Sequence, residues 1–129
     1  MDYVIIVVVL ALIQYFVFGI LVARARAKYD CPVPAMSGNE IFERYNRVHY
    51  NTLEQLPLFL SSIFLYSHLG NPNIAAGLGV VYLIGRIIYL RSYVADPKSR
   101  GPGFGLTFLP SAFMLLASLF YAVRNLVTG

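Results

Sequence analysis

Three polar side chains share one face of a helical segment in the first half of the chain. Arg47, Asn51 and Glu54 occur at positions i, i+4 and i+7, a spacing that aligns side chains along one side of an α-helix. They offer a forked cation, an amide and a carboxylate, which together would bind a ligand carrying both carboxylates and an ammonium group. The alternative is a self-satisfied network that only holds helices together. Ionisable groups near a membrane tend to be functional, which favours binding.

A second polar set follows a run of apolar and small residues. Arg86, Tyr89 and Tyr93 occur at positions i, i+3 and i+7. Arg86 is either a structural partner of Glu54 across two helices or a ligand contact, since an unpaired guanidinium there would be unfavourable. The two tyrosines are either aromatics at the membrane interface or phenolic donors to a ligand on the Arg86 face.

Three further side chains have chemistry that a site could use. Arg100 would favour the thiolate form of a nearby thiol, although its position alone favours a topology-setting charge. His49 is a candidate base, and a ring packed against Tyr50 is the favoured alternative. Cys31 is the only cysteine and is interpreted as a loop residue. With so few cysteines and histidines, we expect no metal site.

The elements that position these side chains follow from composition. Hydrophobic residues make up 58% of the 129 residues and charged residues only 12%, about half the charged share of a soluble domain. Apolar runs of membrane-spanning length predict a single domain, residues 1–129, that is an all-α membrane protein with four transmembrane helices. These are expected over about 3–23, 41–69, 74–94 and 106–126. The second is longer than a bilayer, so its polar first half should project or line a cleft.

Basic residues predict the orientation of the chain. Arg24, Arg26 and Lys28 follow the first apolar run, and Lys98 and Arg100 follow the third, whereas the turn between the second and third runs has no Lys or Arg. The positive-inside rule therefore predicts both charged regions in the cytoplasm and both termini outside. No RNA-binding pattern accompanies this charge, and we expect no nucleic-acid partner.

Four sequence motifs resemble one family. Residues 43–54, ERYNRVHYNTLE, resemble the E-R-x-x-R-x-H-x-N-x-x-E signature of the MAPEG family, the membrane-associated proteins in eicosanoid and glutathione metabolism, and LPLFL at 56–60 resembles its continuation. GRIIY at 85–89 with Tyr93 resembles the family's third-helix motif. DPKSR at 96–100 resembles the microsomal glutathione transferase branch. The resemblance spans essentially the whole chain.

The resemblance implies a homotrimer of four-helix bundles, with glutathione between neighbouring subunits at the cytoplasmic half of the membrane. The implied glutathione contacts are Arg47, His49, Asn51, Glu54, Tyr89 and Tyr93. Either Arg24 or Arg26 would reach the ligand from the adjacent subunit. Arg100 matches an arginine that stabilises the glutathione thiolate. Apart from the resemblance, Arg44 and Arg86 are each expected to be either one partner of a structural ion pair or a ligand contact.

The function implied is that of a membrane-bound glutathione transferase, with glutathione as a substrate and no metal. Its thiolate would be conjugated to a lipophilic electrophile, or would reduce a lipid hydroperoxide, arriving from the bilayer. One alternative is a non-catalytic, lipid-binding or partner-presenting member of the family. Another is a small multidrug transporter with Glu54 as its proton-coupled carboxylate, although Arg47 and Arg86 argue against cationic drugs there.

Overall fold

Four long α-helices make up almost the whole chain. A computed structural model describes residues 1–129 and contains no β-strand. The elements are α1 (Asp2–Tyr29), α2 (Glu40–Leu69), α3 (Pro72–Ala95), a short 3-10 turn (Pro97–Ser99) and α4 (Gly101–Thr128). The prediction of an all-helical chain with four helices in this order is confirmed.

Two helices extend beyond their predicted bounds. α1 continues to Tyr29 instead of ending near residue 23, because arginine and lysine favour helix and their charges suit the negative end of a helix dipole. α4 begins at Gly101 instead of residue 106. Its Pro102 lies in the first turn, where the missing N–H leaves no bond unmade. The connection expected between the helices at 74–94 and 106–126 is therefore reduced to the 3-10 turn and its flanking residues.

Side-chain caps define where two helices begin. The Asn39 side-chain oxygen accepts hydrogen bonds from the backbone N–H groups of Ile41 and Phe42 at 2.9 and 3.0 Å. Asn71 does the same at the start of α3, directly before Pro72. Such caps satisfy N–H groups that have no partner within the first helical turn. The segments that lead into α2 and α3 therefore end at residues 39 and 71.

Three helices are long and apolar enough to cross a membrane. These are α1, α3 and the span Pro97–Thr128, which contains α4. α2 is long enough but not apolar enough to be included, because its first half contains many charged and amide side chains. Its role as a fourth transmembrane helix stays a prediction. Large apolar side chains such as Phe16, Leu116 and Phe120 lie exposed on α1 and α4, as expected for surfaces facing lipid or a neighbouring subunit.

The helices alternate in direction, so four helix termini meet at what we call the charged end. It comprises the last turns of α1 and α3 and the first turns of α2 and α4. Arg44 of α2 donates hydrogen bonds to the carbonyl oxygens of Val94 and Ala95 at 2.9 and 3.2 Å. It thereby satisfies carbonyls at the end of α3 that lack helical partners.

The loop between α1 and α2 folds around Arg26. Its Nη1 donates to the carbonyl oxygens of Cys31 and Ala35 at 3.1 and 2.6 Å. The guanidinium also lies 4.7 Å from the centre of the Phe42 ring, within the range of a cation–π contact. Cys31 is buried beside Phe42, so its observed role is packing.

Glycines bring α3 and α4 into close contact at the charged end. A Cβ placed on Gly103 would lie 2.5 Å from the backbone nitrogen of Tyr89. One placed on Gly85 would lie 2.8 Å from the carbonyl carbon of Leu106. The absence of side chains at these two positions therefore sets how closely α4 approaches the residues around Arg86, as small residues do in membrane helix pairs.

We expect Gly103→Ala to destabilise the protein by about 1–3 kcal/mol, because the added methyl group must push α4 away from Tyr89. Gly105→Ala is the matched control, since nothing lies within 4 Å of a Cβ at that position and alanine favours helix by about 1 kcal/mol. Thermal unfolding in detergent measures both. Equal melting temperatures for the two variants would contradict the close approach.

Candidate functional site

A cleft opens at the charged end between the start of α2 and the end of α3. Its volume is about 430 Å³, within the range of about 300–1,000 Å³ typical of small-molecule sites. The lining is mixed in charge and rich in polar groups. It comprises Met36, Glu40, Glu43, Arg44, Asn46, Arg47, Tyr50, Tyr93 and Pro97.

Arg47 and Glu54 lie on the same side of α2, as their spacing predicts. Arg47 Nη1 lies 3.4 Å from Glu54 Oε1, and both side chains are about half exposed. An ion pair this exposed contributes little to stability. Both groups can therefore exchange their mutual contact for a ligand.

Arg86 is fully buried between α2 and α3, and it does not contact Glu54. Its Nη1 and Nη2 atoms each donate to Asn51 Oδ1 at 2.9 Å, and Nη1 also donates to Thr52 Oγ1 at 3.2 Å. The alternative of an ion pair with Glu54 is wrong for this residue, because packing directs both terminal nitrogens of Arg86 to Asn51 and Thr52. A neutral amide and a hydroxyl take the place of the acid.

Two tyrosines connect Arg86 to the cleft. The Arg86 guanidinium carbon lies 4.4 Å from the centre of the Tyr89 ring, and the Tyr89 and Tyr93 rings stack with centroids 5.6 Å apart. Tyr89 is buried, so it is not a lipid-facing interface aromatic, and Tyr93 lines the cleft.

The remaining arginines divide into bonded and free groups. Arg44 is held by Glu40 and by the end of α3, and Arg26 is held by the loop between α1 and α2. Arg24, one turn before the end of α1, is exposed and makes no side-chain bond within the chain. This contrast favours Arg24 over Arg26 as the α1 cation that is available to a ligand.

Arg100 is exposed and directly precedes α4. Its side chain makes no hydrogen bond within the chain, and α4 has no side-chain cap. The unpaired N–H groups of the first turn and the guanidinium thus present positive charge at the same place. An anion such as a thiolate would be stabilised there.

His49 lies on the opposite side of α2, facing α1. Its ring stacks on Tyr15 with centroids 4.6 Å apart, whereas the Tyr50 ring is tilted and 6.4 Å away. The packing partner is therefore Tyr15 and not the predicted Tyr50. The imidazole borders an open groove of about 470 Å³ beside Gly19. Within one chain, His49 is separated from the Arg47 face.

Three residues around the site were not predicted, and they differ in whether the sequence could have identified them. Tyr50 lines the cleft and stands at i+3 from Arg47, so spacing alone could have identified it. Thr52 could not be identified, because a hydroxyl within a helix commonly bonds its own backbone, as Thr52 also does to Val48. Tyr15 lies far away in sequence and has no signal. Side chains that could ligate a metal do not gather in groups of three.

Comparisons with known proteins show which proteins this chain is similar to. The MAPEG family model matches residues 4–120. An uncharacterized protein of Synechocystis sp. is 47% identical over 110 residues, covering 85% of this chain and 80% of that protein. Microsomal glutathione S-transferase 2 of Homo sapiens is 35% identical over 99 residues, covering 77% of this chain and 67% of that protein. Leukotriene C4 synthase of Bos taurus is 31% identical over 83 residues, covering 64% of this chain and 55% of the synthase.

The family match covers nearly the whole chain, and it includes both the Arg47 face of α2 and the Arg86 segment of α3. The relatives agree with the resemblance that these two motifs indicate. The chain belongs to the MAPEG family.

Proposed function

We propose that the chain is a membrane-bound glutathione transferase that joins the glutathione sulfur to lipophilic electrophiles and also reduces lipid hydroperoxides. The observation that carries this proposal is the cleft at the charged end, which Arg47 and Tyr93 both line and where the Tyr93 ring stacks on Tyr89. The names of two relatives, a microsomal glutathione S-transferase and a leukotriene C4 synthase, support it.

The polar groups of the site complement the charges of glutathione, which has two carboxylates, one ammonium group and a thiol. Arg47 binds a carboxylate through its forked N–H groups, and Glu54 binds the ammonium. Asn51 and Tyr93 contribute uncharged hydrogen bonds. Because Arg47 and Glu54 already lie 3.4 Å apart, they suit the carboxylate and ammonium of one amino-acid group, which are themselves adjacent.

Arg100 stabilises the sulfur as a thiolate. A free cysteine thiol has a pKa of about 8.5, and a nearby cation and helix N-terminus lower it. The thiol proton leaves to solvent, and the thiolate forms a carbon–sulfur bond as a leaving group departs or an epoxide opens. With a hydroperoxide, the thiolate takes the outer oxygen and releases an alcohol. A second glutathione then converts the resulting sulfenic acid to a disulfide and water.

A homotrimer completes the site. Arg24 is exposed and unbonded, and His49 borders an open groove on the side of the bundle away from Arg47. These two residues reach glutathione from the adjacent subunit, while Arg47, Asn51, Glu54, Tyr89, Tyr93 and Arg100 come from the first. The charged end faces the cytoplasm with both chain termini outside, and the lipophilic substrate enters from the bilayer.

Arg100→Gln is expected to lower conjugation of 1-chloro-2,4-dinitrobenzene at neutral pH by about tenfold or more, because the thiolate loses its cation. The pH at which activity is half-maximal should move upward, since an unassisted thiol ionises only in more alkaline solution. Lys98→Gln, which removes an exposed cation two residues away, is the matched control. Unchanged activity and pH profile in Arg100→Gln would remove this residue from its role.

Glu54→Gln is expected to raise the KM for glutathione by about tenfold, because the ammonium loses its acidic partner. Glutathione acetylated at its amino group serves as the second change in a double cycle. The wild type should discriminate strongly between the two ligands, and Glu54→Gln should discriminate weakly. Equal discrimination by both proteins would place the ammonium elsewhere.

Subunit mixing tests the shared site. Arg47→Ala and Arg24→Ala should each be nearly inactive alone, yet every mixed trimer contains one junction where Arg47 and Arg24 are both intact. With equal mixing, about a quarter of wild-type activity should return, since three quarters of the trimers are mixed and each has one intact site in three. Arg47→Ala mixed with Glu54→Gln is the control, because both residues belong to the same side and this mixture should show no more than the average activity of the two variants. Activity that fails to return in the first mixture would contradict a site between subunits.

A further inference from the structure

Arg86 is a buried cation without an acidic partner, and it contacts Asn51, which lies one helical turn from Arg47. The Arg86 side chain is fully buried, and no carboxylate lies within salt-bridge distance of it. Its Nε makes no hydrogen bond at all. Both of its terminal nitrogens instead converge on one atom, Asn51 Oδ1, at 2.9 Å each.

This contact determines which way the Asn51 amide faces. A guanidinium only donates hydrogen bonds, so only the amide oxygen can turn toward it. The Nδ2 group must then point away from Arg86. Asn51 Nδ2 donates no hydrogen bond within the chain, and unlike Arg86 Nε it is not fully buried.

The guanidinium is itself held in place on two sides. Thr52 Oγ1 accepts a hydrogen bond from Nη1 at 3.2 Å, and the Tyr89 ring lies 4.4 Å from the guanidinium carbon. Asn51 is therefore oriented by a group that cannot easily rotate. Asn51 also lies one helical turn from Arg47, on the same face of α2.

We infer that Arg86 is a positioning residue, which fixes the Asn51 amide so that its Nδ2 hydrogens meet a carboxylate of the bound tripeptide beside Arg47. The inference rests on the proposed function. It differs from a ligand contact by Arg86 itself, because the Asn51 side chain stands between Arg86 and the ligand. The positive charge of Arg86 further polarises the amide and strengthens its donation to an anion.

Asn51→Asp tests the direction of the amide. The new carboxylate keeps its contact with Arg86, so thermal stability should be retained or rise. Its second oxygen, however, faces the ligand as an acceptor where a donor stood. Equilibrium binding of glutathione should weaken by about tenfold or more, as expected when a hydrogen bond to a charged group is lost. Glutathione binding within about twofold of wild type would overturn the inference.

Arg86→Lys tests the positioning itself, because lysine keeps the charge and loses the planar fork. The KM for glutathione should rise by about tenfold, while kcat at saturating glutathione stays near wild type because Arg100 is untouched. Thr52→Val is the matched control. It removes the longer Arg86 contact and leaves both contacts with Asn51 in place, so it should lower the melting temperature with a rise in KM well below that of Arg86→Lys.

The outcomes separate the possibilities. A rise in KM no larger for Arg86→Lys than for Thr52→Val would make Arg86 merely structural and refute positioning. If Arg86→Lys does not fold, the Asn51→Asp measurement decides. Wild-type protein without saturable glutathione binding would overturn the proposed function and this inference together. Wild-type binding that Asn51→Asp leaves intact would overturn only the inference.

Discussion

The contact between Arg86 and Asn51 is the constraint on which the site depends. A fully buried guanidinium must satisfy its donors inside the bundle, and here an amide oxygen and a hydroxyl of α2 do so. The same contact sets the position of α3 against α2, because moving either helix along its axis would leave a buried cation without partners. The contact also fixes two tyrosines. Tyr89 lies against the guanidinium, and Tyr93 stacks on Tyr89.

The charged end is built by separating arginines that serve the fold from arginines that remain available. Arg26 organises the first loop, Arg44 binds the carbonyl end of α3, and Arg86 is buried between helices. The other set, Arg24, Arg47 and Arg100, is exposed. A bonded cation rigidifies the backbone that carries an available one, so the candidate binding groups stand on ordered elements.

The position of this site suits a reaction between unlike substrates. In the proposed reaction, glutathione is an anion that would arrive from water, whereas lipophilic electrophiles concentrate in the bilayer. Three helices are apolar enough to span that bilayer, and the cleft with its cations lies at one end of them. Close packing of α4 on α3 through Gly85 and Gly103 brings the start of α4, with Arg100, toward the same tyrosines. The proposed chemistry therefore takes place where the two solvents meet.

The sequence by itself determined the helical class, the number of helices, the Arg47 face and the family, because composition and helical spacing are local properties. It predicted the helix ends less well, since α1 and α4 extend through charged or glycine-rich segments that resemble loops. Tertiary structure decided the partner of Arg86, the opposite side on which His49 stacks with Tyr15, and which α1 arginine is free. Each of these depends on residues distant in sequence that packing brings together, and the spacing within one helix contains no information about its neighbour.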